Sequence, residues 1–215
     1  MYQTLKQRLT DARFEVYETA AQGVDQNALA LYEWNLSISA AMFEDIAVIE
    51  VLVRNTIDIR LRRKHQQTAS APPWYDTLPL PDPAKKKVKE AKEKIERAGK
   101  SVNQDRVIAE LTFGFWRYFF GRPYKSTVWP VIRGGFNETT GGPVERQVAD
   151  AEVGWLFLLR NRIAHHEPIF NLCDGQAHKR VRRLASWMCP VTSDWMAQRS
   201  RVPSVLEMKP AFLAK

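Results

Sequence analysis

Apolar residues recur at mostly three- and four-residue steps along residues 25–64, through Ala28, Leu31, Tyr32, Trp34, Leu36, Ile38, Ala41, Met42, Ile46, Ile49, Val53, Ile57 and Leu61. That is the period of an α-helix with one buried face, and no strict period-two alternation interrupts it. A chain organised around such a segment folds as packed helices and not around a sheet. The pattern is long for one helix, so a break is expected near Trp34 to Ser39. Arg60, Arg62, Arg63 and Lys64 close the segment, where the helix dipole favours positive charge.

The flanking segments repeat this alternation of helix and breaker. Residues 3–21 read as a helix. Residues 68–83, TASAPPWYDTLPLPDP, hold five prolines and read as an irregular connector, tied down by Trp74, Tyr75 and Leu78. Residues 84–100 read as a charged helix whose narrow apolar stripe, Val88, Ala91, Ile95, Ala98, continues to Val102. Glu90–Lys94, Glu93–Arg97 and Glu96–Lys100 are spaced for i,i+4 pairs with the acid first. Eight basic against three acidic residues leave this segment at +5. Residues 104–120, QDRVIAELTFGFWRYFF, are apolar nearly all round and read as a buried helix, with a break expected at Gly114. A second connector, rich in proline and glycine, covers 121–143. Helical pattern resumes over 144–166, limited by Pro168, and again over 176–188. The expectation is an all-α bundle with irregular Pro/Gly-rich connectors. One domain would span 1–190, with 84–103 as a charged helix inserted after the Pro-rich connector, and 191–215 as a less regular tail.

Composition narrows the class. The chain has 215 residues, 45% hydrophobic and 11% aromatic, enough to bury a core without metal or disulfide. Its net charge of +8 favours polyanionic partners such as nucleic acid, with ordinary solubility charge as the plainer alternative. Cys173 and Cys189 form no CxxC and suit two reduced thiols in a cytoplasmic protein. The segment MYQTLKQRLT lacks the apolar stretch of a signal peptide, and no apolar run approaches the ~18 residues that span a bilayer. No membrane partner is expected.

The chemistry concentrates in LLRNRIAHHEPIFN, residues 158–171, where two of the four histidines stand together. At about 100° per residue, His165 lies one turn above Asn161, with Arg160 flanking both. His166 falls on another side if the helix continues, and is undirected if it ends. The corner thus offers a guanidinium, an amide and an imidazole. Histidine transfers protons near neutrality, and arginine grips phosphate oxygens while keeping its charge. Metal-free RNA cleavage needs those functions. A structural role is open as well, with Arg160 capping carbonyls or pairing with Asp150 or Glu152, and a histidine favoured by the helix dipole. Adjacent histidines without HExxH or His/Cys spacing argue against a metal site, and no cofactor is expected. Basic residues placed to hold a nucleic-acid backbone are Lys85, Lys86 and Lys87 on one segment, with Lys179, Arg180, Arg182 and Arg183 on another. The cluster at 60–64 is a third such group.

R-N-x-x-x-H, carried by Arg160, Asn161 and His165, resembles the R-x4-6-H signature of the HEPN superfamily. The longer string RNRIAHHEPIFN resembles its Abi-like branch, the bacterial abortive-infection proteins, in which an RN pair, AHH and a later asparagine (here Asn171) follow in order. EVLVRNTIDIRL at 50–61 is similar to that family's N-terminal core helix, and ELTFGFWRYFF at 110–120 to its central aromatic segment. The resemblance implies an all-helical, usually dimeric domain and a metal-independent endoribonuclease used as a toxin or in phage defence. It implies Arg160 and His165 as the catalytic pair, Asn161 as the polar residue after the arginine, and His166 and Asn171 in supporting places. The implied partners are RNA, a second copy of the chain, and an antitoxin protein or inhibitory RNA. The rival expectations are an RNA- or nucleotide-binding HEPN protein without turnover, and a helical interaction protein.

Overall fold

The structure, a computed structural model, describes residues 1–65, 71–138 and 141–213. Twelve α-helices order these residues: α1 (Tyr2–Leu9), α2 (Asp11–Ala20), α3 (Asp25–His65), α4 (Trp74–Thr77), α5 (Asp82–Arg97), α6 (Gln104–Glu110), α7 (Phe113–Arg117), α8 (Trp129–Ile132), α9 (Arg146–Ala164), α10 (Gly175–Met188), α11 (Pro190–Arg199) and α12 (Val202–Glu207). Strand pairing among the described residues is a lone antiparallel bridge between Asn137 and Pro143. The fold is all-α, as the helical period requires. Residues 68–70 and 139–140 of the two expected connectors, and 214–215 of the expected tail, lie outside the described residues.

Four boundaries differ from the sequence expectation, each for a local reason. Residues 2–20 form two helices, because Thr10 turns into the left-handed region (φ 79) between them. α3 runs unbroken through Trp34 to Ser39. Its polar residues there are satisfied within the fold: Ser37 Oγ donates to the Glu33 carbonyl one turn back, and Asn35 makes a tertiary bond. The break in 104–120 falls at Leu111–Thr112 and not at Gly114, which is inside α7. The Asn103 side chain caps the start of α6 by accepting from Arg106 N–H at 3.0 Å. Residues 190–207, expected to be irregular, form α11 and α12.

Contacts divide the chain into two compact units, with α3, α9, α10 and α11 each contributing residues to both. The first comprises residues 1–47, 158–183 and 193–215. Its core holds Phe14, Tyr17, Leu31, Ile38, Met42, Ile163, Ile169, Val181 and Val202. Leu36, counted from its spacing with the apolar face of α3, is half exposed. The expected tail is part of this core, since Trp34 Nε1 donates to the Val205 carbonyl at 2.7 Å. Asp45, 5% exposed, accepts from Ser200 Oγ at 2.7 Å and lies 3.5 Å from His178 Nε2. That buried group closes α10 and the C-terminal segment onto α3.

The second unit comprises residues 48–157 and 184–192. Its centre is aromatic. Trp74 is fully buried among Tyr75, Phe115, Trp116 and Phe119, with ring centroids 5.5–6.4 Å apart. The Pro-rich connector therefore packs into the unit, as its aromatics predict. α5 buries Val88, Ala91 and Ile95, but the stripe stops there, because the helix ends at Arg97 and Val102 is exposed. Its charges pair differently from their spacing. Lys94 reaches Glu110 on α6 at 2.6 Å, Glu90 takes Lys87 at 2.7 Å, and Arg97 Nε turns to the Glu93 carbonyl. Gly135 is required sterically: a Cβ there would lie 2.5 Å from the Thr56 methyl.

The two thiols differ. Burial pushes the Cys173 thiol up to about 12, whereas hydrogen bonds to Thr192 hold that of Cys189 below its ordinary value. At pH 8 the native protein is expected to release one equivalent of chromophore from a chromogenic disulfide reagent, and two in denaturant. Rapid release of two equivalents from native protein would contradict the burial of Cys173.

Candidate functional site

The candidate site is the end of α9 and the turn after it, all within the first unit. Leu159 and Ile163 anchor this end of the helix in the core. The helix closes through two backbone bonds: Glu167 N–H to the Arg162 carbonyl at 2.8 Å, and His166 N–H to the Ile163 carbonyl at 2.9 Å. This is the Schellman pattern, with Pro168 following it. It places His166 in the left-handed position, φ 57, where glycine is usual. α5 ends by the same pair of bonds with Gly99 (φ 68) in that position. A side chain there costs about 1 kcal/mol. His166→Gly is therefore expected to raise the stability of this unit by about 1 kcal/mol in urea unfolding. A lower midpoint would mean that the imidazole packs favourably enough to outweigh the strain.

The helical register runs one residue past the helix. His165 N–H donates to the Asn161 carbonyl at 2.9 Å, so His165 stands one turn above Asn161, as its spacing predicts. Arg160 and Asn161 are half-buried, while His165 and His166 are exposed. The direction of His166, open in the sequence, follows from the left-handed turn. Its carbonyl accepts from Arg13 Nη1 on α2 at 2.5 Å. Asn171 is exposed in the turn after Pro168, on the wall of the same open cleft as His166.

Three residues outside the sequence-derived set hold this turn. Arg13 binds the His166 carbonyl. Arg162 Nη2 donates to the Pro168 carbonyl at 3.0 Å, and its Nε lies 3.4 Å from Glu167. Asn35, 3% exposed, accepts from Ile169 N–H at 2.8 Å. Tyr17 packs its ring 5.6 Å from Phe170, and burial raises its hydroxyl to about 12. Asn35 had a readable signal, a polar residue at a core position of an apolar helix. Arg13 had none, because its contact spans 153 positions.

The basic residues fall on separate elements. Lys85, Lys86 and Lys87 are exposed on the first turns of α5, with Lys87 paired to Glu90. On α10, Lys179 and Arg183 are exposed, and Arg180 and Arg182 are half-buried. In the 60–64 cluster, Arg60 donates to the Gly134 carbonyl and Arg62 bridges Asp58 and Asp105 at 2.7 Å each, so these two are engaged inside the second unit. Asp150, one candidate partner for Arg160, is paired with Arg117 at 2.7 Å and with Arg146 at 3.5 Å. The Arg54-Asn55 pair, which echoes Arg160-Asn161, lies inside α3 with Arg54 Nε donating to Asn55 Oδ1. Among the described residues no three His, Cys, Asp or Glu side chains converge as a metal site, and no helix is long and apolar enough to cross a membrane.

A scan against protein-family models returns no match, and searches of curated proteins and of solved structures return none either.

Proposed function

We propose that this chain is a HEPN-type, Abi-like endoribonuclease that cleaves RNA without a metal ion, in an abortive-infection or toxin–antitoxin role. One observation carries the reading: an exposed histidine stands in helical register over Asn161, the neighbour of Arg160 in the chain, on a turn clamped by Arg13, Arg162 and Asn35. A turn held by that many side-chain bonds fixes the backbone next to the exposed imidazole, which favours the positioning that proton transfer requires.

In the proposed reaction an imidazole takes the proton of the ribose 2′-hydroxyl. The 2′-oxygen then attacks the adjacent phosphorus, the bond to the 5′-oxygen breaks, and that oxygen is protonated as it leaves. The products carry a 2′,3′-cyclic phosphate and a 5′-hydroxyl. His165 performs proton transfer, with His166 assisting. Arg160 neutralises the phosphate as charge builds, and Asn161 positions it. One chain presents one such set, so a homodimer that faces two sets together supplies both an acid and a base. Lys85, Lys86, Lys87 and the basic residues of α10 hold the RNA backbone, and an antitoxin protein or inhibitory RNA restrains the enzyme.

The test is incubation of purified protein with total RNA in EDTA, followed by analysis of the 3′ ends. Cyclic-phosphate ends are the expected result. RNA that stays intact but co-purifies with the protein would replace this reading with an RNA-binding module, and intact RNA without binding with a helical interaction protein.

A further inference from the structure

Beside the end of α9 lies an open cleft of about 490 Å³ between α2 and the turn at 166–171. Its polar lining includes Arg13, Arg162, His166, Asn171 and the Glu167 carboxylate that faces Arg162. Its apolar lining includes Val16, 40% exposed, and the half-buried Phe170. An apolar shelf bordered by the same two residues continues along α2 to Ala20. The rim carries Thr10 and His166, two of the three non-glycine residues with left-handed φ among the described residues. Backbone strain gathers at ligand-binding places more than elsewhere.

Arg13 is the informative side chain. A guanidinium has five N–H donors. Here its one hydrogen bond is to the His166 carbonyl, and no carboxylate neutralises it among the described residues. Arg162, by contrast, has Glu167 at 3.4 Å. The cleft therefore presents a partly buried guanidinium without an ion-pair partner among the described residues, and an aromatic ring on the same lining. Phosphate matches the first and a nucleobase the second.

We propose that this cleft is a nucleotide subsite that takes the RNA residue next to the scissile phosphate. Its phosphate sits on Arg13, its base lies against Phe170 over Val16, and Asn171 bonds the base edge or the ribose. The position next to cleavage rests on the ribonuclease reading, since the cleft shares His166 with that site. The binding of a base-bearing strand does not rest on it.

The probe is a fluorescein-labelled single-stranded 2′-O-methyl RNA, which lacks the attacking hydroxyl and reports binding whether or not the chain cuts. Its affinity is measured by anisotropy across a salt series in EDTA. Arg13→Gln is expected to weaken binding and to lower the slope of log affinity against log salt by about 0.7, the loss of one phosphate contact to a single strand. Arg13→Lys keeps the charge and should keep the slope. Phe170→Leu preserves apolar volume against Tyr17 and is expected to weaken binding about tenfold at unchanged slope. That loss should vanish on an oligonucleotide abasic throughout. Wild-type affinity in folded Arg13→Gln and Phe170→Leu overturns the subsite, and so does an equal loss on abasic and base-bearing strands. Loss of binding in these variants from a wild-type chain that cuts no RNA would uphold the subsite and remove the ribonuclease.

Discussion

His165→Ala is expected to lower metal-free RNA cleavage by about 10²- to 10⁴-fold, the contribution of a positioned acid or base. Arg160→Ala should lower it by about 10²- to 10³-fold through loss of charge on the phosphate in the transition state. Initial rates on a fluorogenic RNA substrate, at saturating substrate, measure both. The two should separate in stability. His165 is exposed, so its removal should leave the unfolding midpoint unchanged, whereas the half-buried Arg160 could shift it. Cleavage by His165→Ala at the wild-type rate in a folded protein would sink the proposed mechanism. Full activity in His165→Ala with loss in His166→Ala would instead move the proton-transfer role to the strained residue of the turn.

Trp74→Ala should destabilise the second unit by about 3–5 kcal/mol, the range for removing a large buried aromatic side chain. The indole is fully buried among four other rings, and its Nε1–H donates to Asp58 Oδ1 at 2.8 Å. Removal opens a cavity and strips a donor from a carboxylate that is 7% exposed, leaving it to Arg62. Unpaired buried acceptors carry their own penalty. Since domain stabilities are about 5–15 kcal/mol, the loss is a large fraction of what holds the unit together. Urea unfolding followed by far-ultraviolet circular dichroism gives the midpoint shift. Trp74→Phe restores part of the packing but not the donor, so it should fall between wild type and alanine. A shift under about 1 kcal/mol for the alanine variant would mean that the Pro-rich connector is a surface strap and not core.

Helix class was legible because it depends on periodicity, which is local. Ile38, Met42, Ile46, Ile49, Val53 and Ile57 all lie where their spacing puts them, fully buried along α3. Ends of helices were less so, because they depend on partners far away. Length alone argues for a break at 34–39, and nothing in the sequence there says that Asn35 is satisfied by Ile169 while the helix continues. Thr10 shows the reverse: no glycine or proline marks the turn between α1 and α2, and the backbone turns regardless. The same division applies to the site. The relation of His165 to Asn161 follows from 3.6 residues per turn, and it is in the structure. The left-handed conformation of His166 was not legible, since a histidine carries no signal for that region, and Arg13 could not be placed at all.

The clamp on the AHHEPIFN turn also has a consequence for synthesis. Arg13 and Asn35 are translated 153 and 134 positions before the backbone groups they bind. At about 5–20 residues per second, both wait roughly 7 to 30 s for their partners. Every shorter nascent chain lacks the turn and its histidines. On the proposed reading, a nascent chain that stops short of Ile169 carries no assembled site.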